Sequence, residues 1–145
     1  FFLLQIRPMV DNMMQLDEDI VNIPDDDCLI RSHNAIGHGI VNDVYDVVYV
    51  KTDNYNAANN SMIADEVERI NRGFLQRSEN YVLVGPGRWG SSDSWLGVPV
   101  KWPNISAAKV IVEAGLRNFH VEPSQGTHFF QNLTSINLVC NKKDY

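Results

Sequence analysis

The chain has 145 residues, of which 44% are hydrophobic, 10% aromatic and 21% charged. That is the profile of one globular domain large enough to bury its own core, not of a disordered segment. With 12 Lys and Arg against 18 Asp and Glu, the formal charge is −6, which argues against a role built on contacts to DNA or RNA phosphates. No apolar run reaches the length of a membrane span, and Cys28 and Cys140 are too few for a disulfide framework. A reduced, cytoplasmic setting with no membrane partner is therefore expected, and the sequons at Asn59, Asn104 and Asn132 carry no meaning there.

In chain order, Phe1 to Ile6 reads as an apolar strand closed by Arg7-Pro8, and Met9 to Asp19 as a short amphipathic helix. The strand opens in mid-pattern, as expected of a fragment of a longer protein. Val21 to Asp27 holds Pro24 and three aspartates and reads as a linker, so residues 1–27 are expected to stand apart from a main body over 28–145. The acidic runs at Asp17 to Asp19 and Asp25 to Asp27 read as solvated loop rather than as a metal site. Cys28 to Ser32 is a short strand candidate. After the Gly37-His38-Gly39 break, the β-branched content of Ile40 to Lys51 predicts a long strand. Thr52 to Asn60 is a polar, Asn-rich loop. Met62, Ile63, Val67, Ile70, Phe74 and Leu75 recur at helical spacing, which predicts a helix over 61–77.

Tyr81 to Val84 reads as a buried strand ended by Gly85-Pro86-Gly87. Arg88 to Ser106, with three tryptophans and repeated Gly and Pro, reads as an ordered loop with short strands. Lys109 to Glu113 is expected to be a strand, Thr127 to Leu133 a short helix and Ile136 to Cys140 a closing strand. The sum is an α/β fold.

Two segments could carry chemistry. Gly85-Pro86-Gly87-Arg88-Trp89-Gly90 satisfies G-x-G-x-x-G after a strand, with Glu113 ending the next one. A dinucleotide site also needs a helix opening at the third glycine, and the glycine and prolines that follow oppose one. The same loop has phosphate chemistry on offer: backbone N–H groups at Gly87, a bidentate guanidinium at Arg88, and hydroxyls at Ser91 and Ser92. The competing reading is that Trp89, Trp95 and Trp102 pack the loop down. No Gly-Lys-Ser/Thr follows, so it is not a Walker loop.

The second segment is Ser124-Gln125-Gly126-Thr127-His128-Phe129-Phe130. A histidine beside an expected helix start can act as a nucleophile toward phosphorus, with nearby N–H groups steadying the phosphoryl group. On residue types alone, a packed or capping histidine beside the core residues Phe129 and Phe130 is the favoured reading. His33, His38 and His120 fit no zinc spacing, no metal site is expected, and no G-x-S-x-G elbow exists.

Leu4-Gln5-Ile6-Arg7-Pro8 resembles the L-Q-x-R-P strand that closes the ATP-grasp region of the phosphoenolpyruvate synthase and pyruvate phosphate dikinase family. The resemblance implies that Gln5 and Arg7 belong to the ATP and magnesium site, whose remainder would lie upstream. It also implies that a swivelling β/β/α phosphohistidine domain follows. Ala35 to Ile40 running into Val44 to Val50 is similar to that domain's opening strand pair. Gly126-Thr127-His128, between two expected strands, is similar in order to its active-histidine segment, although the double glycine is missing and Thr-His-Phe-Phe replaces Ser-His-Ala-Ala. Tyr81 to Ser135 resembles a C-terminal region of divergent bacterial members.

What the resemblance implies is an ATP-dependent phosphotransferase in which His128 relays phosphate to pyruvate. Arg88, Ser91, Ser92, Gly87 and Thr127 would then be its phosphate-binding residues. The partners would be the upstream ATP-grasp domain and the pyruvate or phosphoenolpyruvate substrate, with ATP and magnesium in the parent protein and none held by this fragment alone. Two other classes stay open: a non-catalytic interaction or scaffold domain of the same parent, and a dinucleotide-binding domain through Gly85, Gly87 and Gly90.

Overall fold

Short valine-rich segments and one long amphipathic helix set the architecture. In the computed structural model the described residues are 24, 28–30, 35–36, 41–53, 55–115 and 139–141. They form strands β1 (Ala35–Ile36), β2 (Asp46–Tyr49), β3 (Tyr81–Pro86), β4 (Arg88–Trp89), β5 (Gly97–Val98), β6 (Ala108–Ala114) and β7 (Val139–Asn141). Helix α1 spans Asn60–Arg77.

The main sheet has the order β1-β7-β6-β3-β2. β2, β3, β6 and β7 run parallel, and β1 closes one edge antiparallel to β7. Parallel neighbours need a crossover, and α1 supplies the one between β2 and β3. The β3 to β6 crossover contains no α-helix. It consists of the small β4–β5 pair and a 3-10 turn at Trp102–Ile105.

The core lies between one face of the sheet and α1 with the 3-10 turn. Val67 and Phe74 of α1 meet Tyr81, Leu83 and Ile111 of the sheet, together with Trp89, Val98, Val100 and Ile105 from the crossover. Strand alternation explains the sidedness: Val48 and Val50 pack against this core, while Val47 and Tyr49 point to the other face and are exposed. Phe74 and Tyr81 stack with ring centroids 4.6 Å apart, and the Arg77 guanidinium lies 4.8 Å over the Phe74 ring. The helix ends in a Schellman arrangement: Ser78 is left-handed at φ 55°, its N–H donates to Leu75 O, and Glu79 N–H donates to Phe74 O.

Several boundaries differ from the sequence reading. The strand expected over 40–51 is paired only at Asp46–Tyr49, and residues 41–45 are not strand. Asn42 and Asp43 sit at its start, and both favour turns over extended pairing. Residues 28–30 form no strand, against the expectation for Cys28 to Ser32. The polar 52–60 segment is not wholly loop. Asn56 caps a 3-10 turn over Ala57–Asn59 by accepting the Ala58 N–H at 2.9 Å, and α1 starts at Asn60. β3 and β6 match their expected positions and extend one or two residues further.

The elements expected at Phe1 to Ile6, Met9 to Asp19 and Thr127 to Leu133 lie outside the described residues. The described residues form an α/β unit with a small, mostly parallel sheet and one α-helix.

Candidate functional site

The carboxyl end of β3 is where the chain becomes chemically interesting, because a tight glycine-rich turn follows it directly. After Pro86 the backbone turns at Gly87 (φ 66°), runs two residues as β4, and turns again at Gly90 (φ 79°). Both glycines occupy the left-handed region that other residues avoid.

The N–H groups of this turn are committed to the fold. Gly87 N–H donates to Ala114 O (3.0 Å), Arg88 N–H to Leu96 O (2.9 Å) and Gly90 N–H to Val98 O (2.9 Å). Trp89 N–H donates to Glu113 Oε1 (3.0 Å). The four backbone donors that a phosphate cradle would need are therefore spent on internal bonds. The loop also carries the side chains of Arg88, Ser91 and Ser92.

Trp89 explains why the turn has this form. Its side chain is 1% exposed and its indole N–H donates to Val112 O at 3.1 Å. The ring lies against Gly85, where an added Cβ would collide with Trp89 Cζ2 and stand 2.9 Å from Cη2. Gly85 is thus required for close approach rather than for its dihedral freedom. Gly97 is required in the same way, because a Cβ there would run into the Arg88 carbonyl across the β4–β5 pair.

Glu113 lies beside Gly85 in the β3–β6 register and is 6% exposed. A buried carboxylate needs strong hydrogen-bond donors, and the Trp89 N–H is one of them. Arg88 is half-buried between the two anchored residues Gly87 and Trp89. Ser91 Oγ donates to Asp93 O (2.9 Å) and accepts the Asp93 N–H (3.2 Å), while Asp93 Oδ1 accepts the Trp95 N–H (2.9 Å). Ser92 is exposed. These turns leave Trp95 and Leu96 exposed at the tip.

Two buried asparagines on α1 hold the crossover onto the helix. Asn60 Nδ2 donates to Ser94 O (2.6 Å) and Gly97 O (3.0 Å), and its Oδ1 accepts the Tyr55 hydroxyl (2.9 Å). Burial pushes the Tyr55 hydroxyl pKa up, and the bond to Asn60 opposes this. Asn71 Nδ2 donates to Pro103 O (3.2 Å) and Ser106 Oγ (3.4 Å). Its Oδ1 accepts the Tyr81 hydroxyl (3.1 Å) and the Ala107 N–H (2.9 Å). Neither asparagine was a sequence candidate. The signal was present: Asn60 and Asn71 fall in one helical stripe with Val67 and Phe74, where a polar residue must be satisfied by something specific.

The structure brings Gly87, Arg88, Ser91 and Ser92 together in one loop and sets Glu113 beside it. Glu113, noted in the sequence as the acid that would follow a dinucleotide loop, instead accepts a backbone N–H. After Gly90 the chain passes through turns to β5, so no helix opens at the third glycine. Gln5, Arg7, Thr127 and His128 lie outside the described residues. Among the described residues, no group of three His, Cys, Asp or Glu side chains converges as a metal site would require. No helix among them is long and apolar enough to cross a membrane.

No protein-family model matches this chain, and neither a curated protein nor a solved structure matches it.

Proposed function

We propose that this chain is an α/β domain of an ATP-dependent phosphotransferase resembling phosphoenolpyruvate synthase, relaying phosphate from ATP towards pyruvate. It is a swivelling-type domain that works with an upstream ATP-grasp region of the same protein in the cytoplasm. His128 is the carrier: its ring nitrogen forms a bond to phosphorus as the bond to the nucleotide oxygen breaks, and pyruvate later takes the phosphoryl group. Arg88, with Ser91 and Ser92, steadies the charged group through side-chain donors. ATP and magnesium belong to the upstream site, of which Gln5 and Arg7 are the remnant here.

The observation that carries this reading is topological. The loop holding Arg88 follows β3, and the connection containing His128 follows β6, its parallel neighbour. Gly87 N–H to Ala114 O ties the two exits together. Ligands of open α/β sheets bind on the side of the strands' carboxyl ends, and both segments leave the sheet on that side.

The experiment is labelling of the full parent protein with γ- and β-labelled ATP, with and without pyruvate, in the wild type and in His128→Ala. Acid-labile label that pyruvate discharges and the variant lacks is expected. Label that persists unchanged in His128→Ala refutes the carrier role.

A second reading is a non-catalytic scaffold or interaction domain of the same parent. It is favoured by the internal commitment of all four N–H groups from Gly87 to Gly90. Absence of label in wild-type protein that still assembles with its ATP-grasp region would select it.

A further inference from the structure

Among the described strands, β2 forms the edge of the sheet opposite β1. Val50 N–H donates to Val84 O at 3.0 Å, so the even-numbered residues of this segment hold the bonds to β3. Backbone alternation then turns the N–H and C=O groups of Val47 and Tyr49 outward, along the edge. Their side chains lie on the sheet face away from α1, where Val47 is 39% and Tyr49 61% exposed, and Tyr45 just before them is 88% exposed.

Proteins commonly protect such an edge with lysine, proline or a bulge. From Val44 to Val50 the sequence holds no lysine, proline or glycine, and its one charge, Asp46, falls on the opposite face from Val47 and Tyr49. The strand pattern also runs further than the pairing: Val44 and Tyr45 favour extended backbone, yet β3 lies alongside only Asp46–Tyr49. An added strand would use both the outward backbone groups and this unpaired stretch.

The flanking charges say which strand fits. Asp43 and Lys51 stand symmetrically about Val47 in the sequence, and the ion pairs among the described residues involve neither. A second copy laid antiparallel, with a two-fold axis at Val47, sets Asp43 of each copy opposite Lys51 of the other. The same register sets Tyr45 opposite Tyr49 and Val47 opposite itself, all pairs that favour strand association. A slip of one residue puts the wrong faces and backbone groups together. A slip of two residues loses both charge pairs, and in one direction it sets Asp43 opposite Asp53.

We propose that β2 is a self-association edge, on which a second copy of this chain adds its own β2 antiparallel about Val47. The two five-stranded sheets then become one continuous sheet across an isologous interface. This inference is independent of the phosphate relay.

The test is sedimentation velocity of the 145-residue chain over a concentration series reaching the millimolar range, where a reversible monomer–dimer equilibrium is expected. Val47→Lys sets two like charges together at the axis and is expected to leave only monomer, with far-UV circular dichroism and melting close to wild type because the residue is exposed. Asp43→Lys and Lys51→Asp each turn two attractive pairs into repulsive ones and are expected to weaken dimerisation on the order of tenfold. The double variant exchanges the charges and is expected to recover the wild-type affinity to within about threefold. If Val47→Lys does not fold, the charge exchange carries the test. A wild-type chain that stays monomeric throughout overturns the proposal, and slow hydrogen exchange of the Val47 and Tyr49 amides in that monomer would point to a different strand on this edge. A dimer that persists in folded Val47→Lys, or a double variant as weak as either single one, overturns it as well.

Discussion

Replacing Asn71 with alanine tests the account of how the crossover is fixed to the helix. Asn71 is fully buried and makes four hydrogen bonds through one amide. Truncation leaves the Tyr81 hydroxyl and the Ala107 N–H without their acceptor, at about 1–3 kcal/mol each. The Pro103 carbonyl is on an exposed residue and Ser106 on a half-buried one, so both can turn to water and add little. The expected destabilisation is about 3–5 kcal/mol, a large share of the roughly 5–15 kcal/mol that stabilises a domain.

The assay is equilibrium urea unfolding in a double-mutant cycle with Tyr81→Phe. In the wild type, Tyr81→Phe removes a satisfied hydroxyl and is expected to cost about 1 kcal/mol. In Asn71→Ala it removes a stranded one and is expected to be neutral or stabilising, a coupling of about 1–3 kcal/mol. Additivity within about 0.5 kcal/mol, or a single-mutant cost below about 1 kcal/mol, would refute the reasoning.

Gly97→Ala is expected to destabilise more than Gly85→Ala. The added methyl at Gly97 meets the Arg88 backbone, whereas at Gly85 it meets the Trp89 ring, and only the ring can move by side-chain rotation. Melting temperatures in the reverse order would contradict this. Burial also pushes the Tyr81 hydroxyl pKa well above its ordinary value. Because the unfolded chain ionises first, its stability is fully present below pH of about 10 and falls as pH rises beyond it, by at most about 1.4 kcal/mol per pH unit for this group. Unfolding measured across that range should show a shallower decline in Tyr81→Phe, and an unchanged slope would sink the assignment.

Local periodicity made much of this fold legible. The continuous apolar run of Tyr81 to Val84 and the helical spacing from Met62 to Leu75 reflect constraints each segment meets alone: a strand covered on both faces is apolar throughout, and a half-covered helix is apolar along one stripe. The three tryptophans and the Gly and Pro breaks likewise marked 88–106 as ordered loop with short strands, and β4 and β5 lie there. The weaker prediction was Ile40 to Lys51. Its valines fit a strand, but pairing extends only where β3 runs alongside, from Asp46↔Tyr81 to Tyr49↔Val84.

Other features exist only between segments, and the tertiary structure alone decided them. In the sequence, Gly85 and Gly87 are both turn glycines. Folded, Gly87 needs a left-handed φ, while Gly85 needs room for the ring of Trp89 four residues on. The glycine-rich loop reads equally as a phosphate cradle or a packed turn until its N–H groups find Ala114, Leu96, Glu113 and Val98. Glu113 lies 24 residues from Trp89 and Asn60 37 from Gly97. Periodicity reports which face of a segment is buried, but a hydrogen bond depends on which partner the fold brings within about 3 Å. The sequence by itself therefore determined the elements and the loop that deserves testing. The parallel sheet decided that Glu113 of β6 would meet the Trp89 N–H in the loop that follows β3.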